Sequence, residues 1–122
     1  KGGTFVGPYL SGRVVPDAGA DWIRLRPDGT GILDVRFSLE THDNALLYVR
    51  WEGRTWCAPE DAEYAFDVEK PDDPSGAWRY YFRSAPIFET GDERYAWLNN
   101  IVTVGKSRTG DGGPIHRVYA VR

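Results

Sequence analysis

The sequence predicts an all-β protein, a single antiparallel β-barrel of about eight to ten strands. Three observations carry this. Glycine and proline together make up 22 of the 122 residues, a level that breaks long helices and cuts a chain into short segments. Seventeen residues are aromatic, with five Trp, seven Tyr and five Phe, and such side chains are enriched in strands. Apolar and polar residues alternate, most plainly in Leu33-Asp34-Val35-Arg36-Phe37-Ser38-Leu39, the pattern of a strand with one solvated face. The chain is long enough for one core, so residues 1–122 are expected to form one domain.

Phe5 to Val15 reads as a first strand region, bent at Gly7-Pro8. Asp21 to Arg26 follows, and Pro27-Asp28-Gly29 is a tight turn. Gly31 to Thr41 is the clearest strand. His42-Asp43-Asn44 closes it, and Ala45 to Trp51 returns as its hairpin partner, ending in a short turn at Glu52-Gly53-Arg54. Pro59 to Gly76 reads mostly as connection, with a short strand around Tyr64 to Val68. Ala77 to Ala85 is a strand that Pro86 breaks before Ile87 to Thr90. Arg94 to Val104 opens with a helical turn and becomes strand at Ile-Val-Thr-Val. Ser107 to Gly113 is a Gly-rich loop, and Ile115 to Val121 is the final strand. Short strands with close turns suit an antiparallel barrel or a strongly curved sandwich, and a barrel removes exposed edges.

The net charge of −3 provides no global footprint for nucleic acid. Pro59 to Gly76 holds seven of the eighteen acids, and twelve of the fifteen basic residues are Arg. An Arg-rich barrel body suits a carboxylate or carbonyl-rich ligand as well as a bland composition bias. No apolar run approaches the roughly 18 residues of a membrane span. Cys57 stands alone, which excludes an internal disulfide and fits a reducing, cytoplasmic setting. The chain has no Met, which implies that a natural start was removed or replaced and leaves a cleaved signal peptide open.

Several segments recur in an informative order: Gly19-Ala20-Asp21-Trp22, Arg26-Pro27-Asp28-Gly29, Leu33-Asp34-Val35-Arg36 and Thr41-His42-Asp43. Tyr81-Phe82-Arg83-Ser84-Ala85-Pro86, Phe88-Glu89-Thr90, Tyr95-Ala96-Trp97-Leu98-Asn99 and Val104-Gly105 complete the set. In this order and spacing the chain resembles the domain of unknown function 3237 family, also grouped as uncharacterised protein family 0311. The resemblance runs from about Gly7 to Arg122. It implies a small β-barrel, lipocalin-like in outline, with a central cavity, and it supplies no catalytic mechanism. The turn glycine expected after Asp43 is Asn44 here, which tolerates the same left-handed backbone.

Within such a cavity the sequence offers an acid–base set. Asp21, beside Trp22, is a candidate general acid or base, and the resemblance strengthens it. Asp34 and Arg36 share a strand face, and either point to water or line the cavity, where Arg36 would steady an enolate. Tyr81 and Arg83 form a second same-face pair suited to a planar ligand. Glu89, if buried, would shuttle a proton. Tyr95, Trp97 and Asn99 alternate and would form a ligand wall, the rings stacking and Asn99 orienting. No metal is expected, since His42 and His116 lack ligand spacing, and Cys57 has no neighbouring base. Ser84 lacks a nucleophile-elbow context, and the Gly110-Asp111-Gly112-Gly113 run precedes no helix.

The expected function is that of a small cofactor-independent enzyme acting on a planar oxygenated, aromatic or polyketide-like metabolite. The chemistry would be proton transfer, as an isomerase, cyclase or lyase. Asp21 or Glu89 would move the proton, and Arg36 or Arg83 would stabilise the oxyanion. Asp34, Tyr81, Tyr95, Trp97 and Asn99 would bind the ligand. The alternative is a non-catalytic carrier or sensor of a small apolar ligand, and a filled interior would mark a structural barrel. No nucleic-acid or membrane partner is expected, and exposed aromatic strand faces suit a homodimer.

Overall fold

A computed structural model describes residues 2–122. Its eight strands are β1 Gly3–Val6, β2 Ser11–Val14, β3 Ala20–Leu25, β4 Gly31–Thr41, β5 Leu46–Cys57, β6 Tyr80–Glu89, β7 Val102–Gly110 and β8 Gly113–Val121. They form one antiparallel sheet ordered β1-β2-β4-β5-β6-β7-β8, with β3 also pairing β4. β2 meets the end of β4, from Gly12 against Thr41 to Val14 against Leu39. β3 continues along the same side, from Ala20 against Arg36 to Leu25 against Gly31. The sheet curls into a half-barrel. Among the described residues no ladder joins β1 to β8.

Turn chemistry sets the hairpins. Asn44 takes a left-handed φ of 67° between β4 and β5, and Thr41 N–H donates to Ala45 O at 2.9 Å across it. Asp111 (φ 52°) and Gly112 (φ 91°) form the two-residue turn between β7 and β8, matching the right-handed twist of paired strands.

Several expected boundaries move. The first strand region is a hairpin of two short strands, β1 and β2. No turn interrupts Glu52-Gly53-Arg54; β5 runs on to Cys57 because β6 pairs with it all the way to Tyr80. The expected strand at Tyr64–Val68 is instead a short helix, α1, Ala62–Phe66, preceded by a 3₁₀ turn at Pro59–Asp61. A second 3₁₀ turn, Pro74–Arg79, replaces the start of the expected Ala77–Ala85 strand. Pro86 does not break β6. It is fully buried opposite Trp51 and lies beyond the short β6–β7 ladder at Arg83–Lys106 and Ser84–Gly105, where a missing N–H is tolerated. The expected Ser107–Gly113 loop is mostly strand, since β7 extends to Gly110.

The acidic connection is tied to the sheet. Arg108 pairs with Asp72, Nη2 to Oδ2 at 2.7 Å. Lys70 Nζ donates to Thr109 Oγ1 at 2.6 Å, Tyr64 O–H to Asp73 at 2.8 Å, and Arg79 pairs with Asp61 at 2.8 Å.

Leu39, Ala45, Leu47, Val49, Trp51, Phe88, Tyr95 and Leu98 form the core, with Phe5 and Val14 from one side of the sheet and Ile101 from the other packed on it. Distant strands reach one cluster only because the sheet curls around that face, which is therefore concave. A 3₁₀ segment, Glu93–Asn100, closes this end by inserting Tyr95 and Leu98.

Candidate functional site

The two-residue period of a strand decides which side chains can meet. Leu33, Val35 and Leu39 of β4 share the concave face with Leu47, Val49 and Trp51 of β5. Register carries that face to Tyr80, Phe82, Ser84 and Phe88 of β6, to Gly105 of β7, and to Val118 and His116 of β8, opposite Gly105 and Ser107. The same register places Arg36 opposite Arg50 and Arg54 opposite Arg83 on the convex face. It adds Lys106 opposite Arg83 and Arg117 opposite Lys106, Arg24 opposite Ile32 and Arg13 opposite Glu40. Arg108, next but one to Lys106 on β7, follows them. The strand cations among the described residues thus all lie outside.

This partition separates the expected catalytic set. Asp34 and Arg36 are convex, about half exposed, with Nε 3.7 Å from Oδ1. Arg83 stacks at 5.1 Å on Tyr81, which is also outside and 51% exposed. Neither Arg can reach an oxyanion on the concave face. Glu89 is exposed, on the wall of a shallow convex-side recess of about 420 Å³ with Tyr48 and Thr90. Asp21 alone of these acids and bases takes a concave register position, opposite Val35, at the exposed rim formed by β3.

Nor do Tyr95, Trp97 and Asn99 build a common wall. Tyr95 is buried, and its hydroxyl donates to Asp43 at 2.8 Å. The Thr41 hydroxyl (2.5 Å) and Arg94 (3.2 Å) also meet that carboxylate. These contacts, that from Thr41 first, hold Asp43 below the usual carboxylate range, while Asp43 pushes the Tyr95 hydroxyl up. This network locks the β4–β5 turn onto the core. Asn99 Oδ1 accepts from Thr90 N–H at 2.8 Å and its Nδ2 donates to Thr90 O at 2.9 Å, which clamps the chain after β6. Trp97 meets Tyr9 edge-on at 6.0 Å. Burial, with Asp61 and Glu60 nearby, raises the Cys57 thiol and keeps it unreactive.

The concave face instead assembles residues that the sequence left unassigned. Ser107 Oγ lies 2.6 Å from His116 Nδ1. The Trp51 ring lies 4.5 Å from the imidazole and the Phe82 ring 5.7 Å. β8 is an exposed strand, yet its imidazole is crowded by these groups, and desolvation pulls it down to about 4. His116 is therefore neutral at pH 7. In the tautomer in which the Ser107 hydroxyl donates to Nδ1, the proton sits on Nε2 and the ring presents an uncharged donor; in the other, Nδ1–H donates to Ser107 Oγ and Nε2 accepts. Nearby, Ser84 Oγ is the buried side-chain polar atom without a hydrogen-bond partner among the described residues. A Cβ on Gly105 would strike that oxygen, so glycine is what leaves it room. The pairing was within reach of the sequence. Gly110 opposite Gly113 sets Ser107 opposite His116, had residues 107–110 been read as strand.

The arrangement defines a class: a small curled antiparallel half-barrel whose aromatic inner face, without strand cations among the described residues, holds a neutral Ser–His pair. The chain belongs to the family described as protein of unknown function (DUF3237), whose profile matches residues 1–121. It is 34% identical over 106 residues to a UPF0311 protein of Rhodopseudomonas palustris strain TIE-1, covering 87% of this chain. The match spans 66% of that relative's length. A solved beta-barrel like protein from Acinetobacter baumannii AYE superposes with a TM-score of 0.80 at 35% identity, covering all of this chain and 74% of its own. A structure of an enzyme from Penicillium herquei superposes with a TM-score of 0.59 at 25% identity, covering 86% of this chain and 58% of its own.

Among the described residues no three His, Cys, Asp or Glu side chains group as a metal site. No helix is long and apolar enough to cross a membrane.

Proposed function

We propose that this chain is the body of a small enzyme that binds a planar oxygenated metabolite on its concave face and moves a proton on it. The observation that carries this reading is the Ser107–His116 pair beside Trp51 and Phe82. A histidine kept neutral by desolvation is a poor base at pH 7, but it is a good hydrogen-bond donor to a carbonyl oxygen becoming an enolate. Nε2–H would take that role, and Ser107 would hold the tautomer by donating to Nδ1. Trp51 and Phe82 would stack on the ligand ring.

The base would be Asp21. It stands in register with Val35 and, one strand further, Trp51, so two strand spacings, roughly 10 Å, separate Asp21 from Trp51 across the sheet. A fused-ring ligand lying over Trp51 spans that interval. Arg36 and Arg83 are replaced in the oxyanion role by His116. The likeness to the Penicillium herquei enzyme supports catalysis over carriage. Its 2-position ketone and adjacent acidic methylene make 2-tetralone a suitable probe. The wild-type chain should accelerate exchange of those hydrogens in D₂O, and His116→Gln and Asp21→Asn should each lower the acceleration by roughly 10²-fold or more. Binding of 2-tetralone without acceleration would establish a carrier instead, and unchanged exchange in both variants would remove these residues from the chemistry.

A further inference from the structure

We propose that the concave face selects for ligands without negative charge and turns away carboxylates, sulfonates and phosphates. The inference rests on the reading of that face as the ligand site and adds the ligand's charge class to it. One register row crosses the sheet as Ile23, Leu33, Gly53, Ser84, Gly105 and Val118. Its only polar side chain is the Ser84 hydroxyl, buried and unpartnered. The neighbouring concave positions contribute Trp51, Phe82, Ser107 and His116. The titratable groups that face inward from the strands are Asp21, Cys57, Tyr80 and His116, and none of them supplies a positive charge at pH 7.

An anion beside His116 would lose hydration and meet no strand cation, because Arg36, Arg50, Arg83, Lys106 and Arg117 all project from the opposite side of the same strands. Lys70 does reach the concave side, but at its Tyr80–Thr109 end, where Asp67 O and Thr109 Oγ1 already engage the ammonium. A phenol, enol or ketone loses much less. Its oxygen also finds neutral hydrogen-bond groups, the imidazole and the serine hydroxyls, each able to donate or accept. The sheet thus sorts ligands by charge through strand alternation alone. The abundance of Arg in the sequence, which suits an anionic ligand, serves the outer surface instead.

The test compares 2-naphthol with 2-naphthoate, which have the same ring system but differ in charge at pH 7, followed through the His116 imidazole resonances. 2-Naphthol should shift those resonances and bind at least roughly tenfold more tightly than 2-naphthoate. Equal affinity of the two at the same His116 resonances would overturn the inference while leaving the site standing. If neither compound moves His116, the site reading itself fails, and the inference with it. Val118→Arg then places a cation on the concave face at a partly exposed edge position opposite Gly105. It should raise 2-naphthoate affinity toward that of 2-naphthol. A variant that still binds 2-naphthol but gains nothing for 2-naphthoate would show that charge is not what excludes the anion.

Discussion

Acidification from pH 7.5 to 5 protonates an ordinary histidine in the unfolded chain but leaves His116 neutral in the folded one. Burial takes it from 6.5 down to about 4. Because the folded value is the lower, the stabilisation is complete above pH 6.5 and is lost as pH falls toward 4. At about 1.4 kcal/mol per pH unit between the two values, full burial would give roughly 3 kcal/mol. His116 stands on an exposed edge strand, where solvent screens the penalty, so we expect a loss of about 1 kcal/mol. Carboxylates do not blur this window. Asp28, Asp43, Asp72, Asp73 and Asp92 are all held below the usual range, chiefly by hydrogen bonds from Thr30, Thr41, Arg108, Ser75 and Arg94 respectively. Their depressed values make their stabilisation complete above the ordinary carboxylate range and lost only at lower pH. Urea unfolding of wild type and His116→Gln at pH 7.5 and 5 isolates the effect, since His42 is common to both. The wild type should lose about 1 kcal/mol more than the variant over that interval. Equal losses, or an imidazole titration midpoint at or above 6.5, would refute the desolvated placement of His116 against Trp51.

Three further outcomes follow from the packing. Leu47→Ala, at a fully buried position, should cost about 2–5 kcal/mol in urea unfolding, whereas Arg36→Ala on the convex face should stay within roughly 0.5 kcal/mol. Gly105→Ala should lower the urea midpoint and perturb Trp51 fluorescence, because the added methyl meets Ser84 Oγ and comes within 3.5 Å of the indole. Tyr95→Phe should lower the melting temperature by leaving Asp43 one donor short, and should leave the His116 resonances in place.

The fold was legible because alternation and turn chemistry are local. Leu33 to Leu39 displays its two faces residue by residue, and Asn44 and Asp111-Gly112 sit where left-handed backbone is needed. Strand ends were harder to read. β5 passes straight through Glu52-Gly53-Arg54, because ten paired positions on β6 outweigh one flexible glycine. β7 likewise absorbs a segment that looks like loop. Those two boundaries hid the site. Reading residues 107–110 as loop removed the register that sets Ser107 against His116. Alternation places Asp34 and Arg36 on one face, as the structure does, but it gives two faces without saying which is concave. That depends on where Phe5, Val14 and Ile101 converge, a long-range fact.

The surplus of rings takes on a different meaning once the faces are known. Trp22, Trp56, Trp78 and Tyr81 are all more than half exposed, so the aromatic excess does not chiefly fill the interior. Among the rings of the inner face, Trp51 and Phe82 crowd one imidazole. An aromatic wall to which the strands contribute no cation is a low-polarity surface. His116 itself lies on an exposed strand, so its Nε2 becomes a stronger hydrogen-bond partner than in water once a bound ligand displaces solvent from it. Desolvation lowers the basicity of His116 and in the same act strengthens its remaining proton as a donor, so one physical cause both weakens it as a base and suits it to hold a carbonyl oxygen. If this face moves a proton as proposed, a second, better hydrated group on it is needed to accept it, and among the charged strand residues only Asp21 occupies such a position.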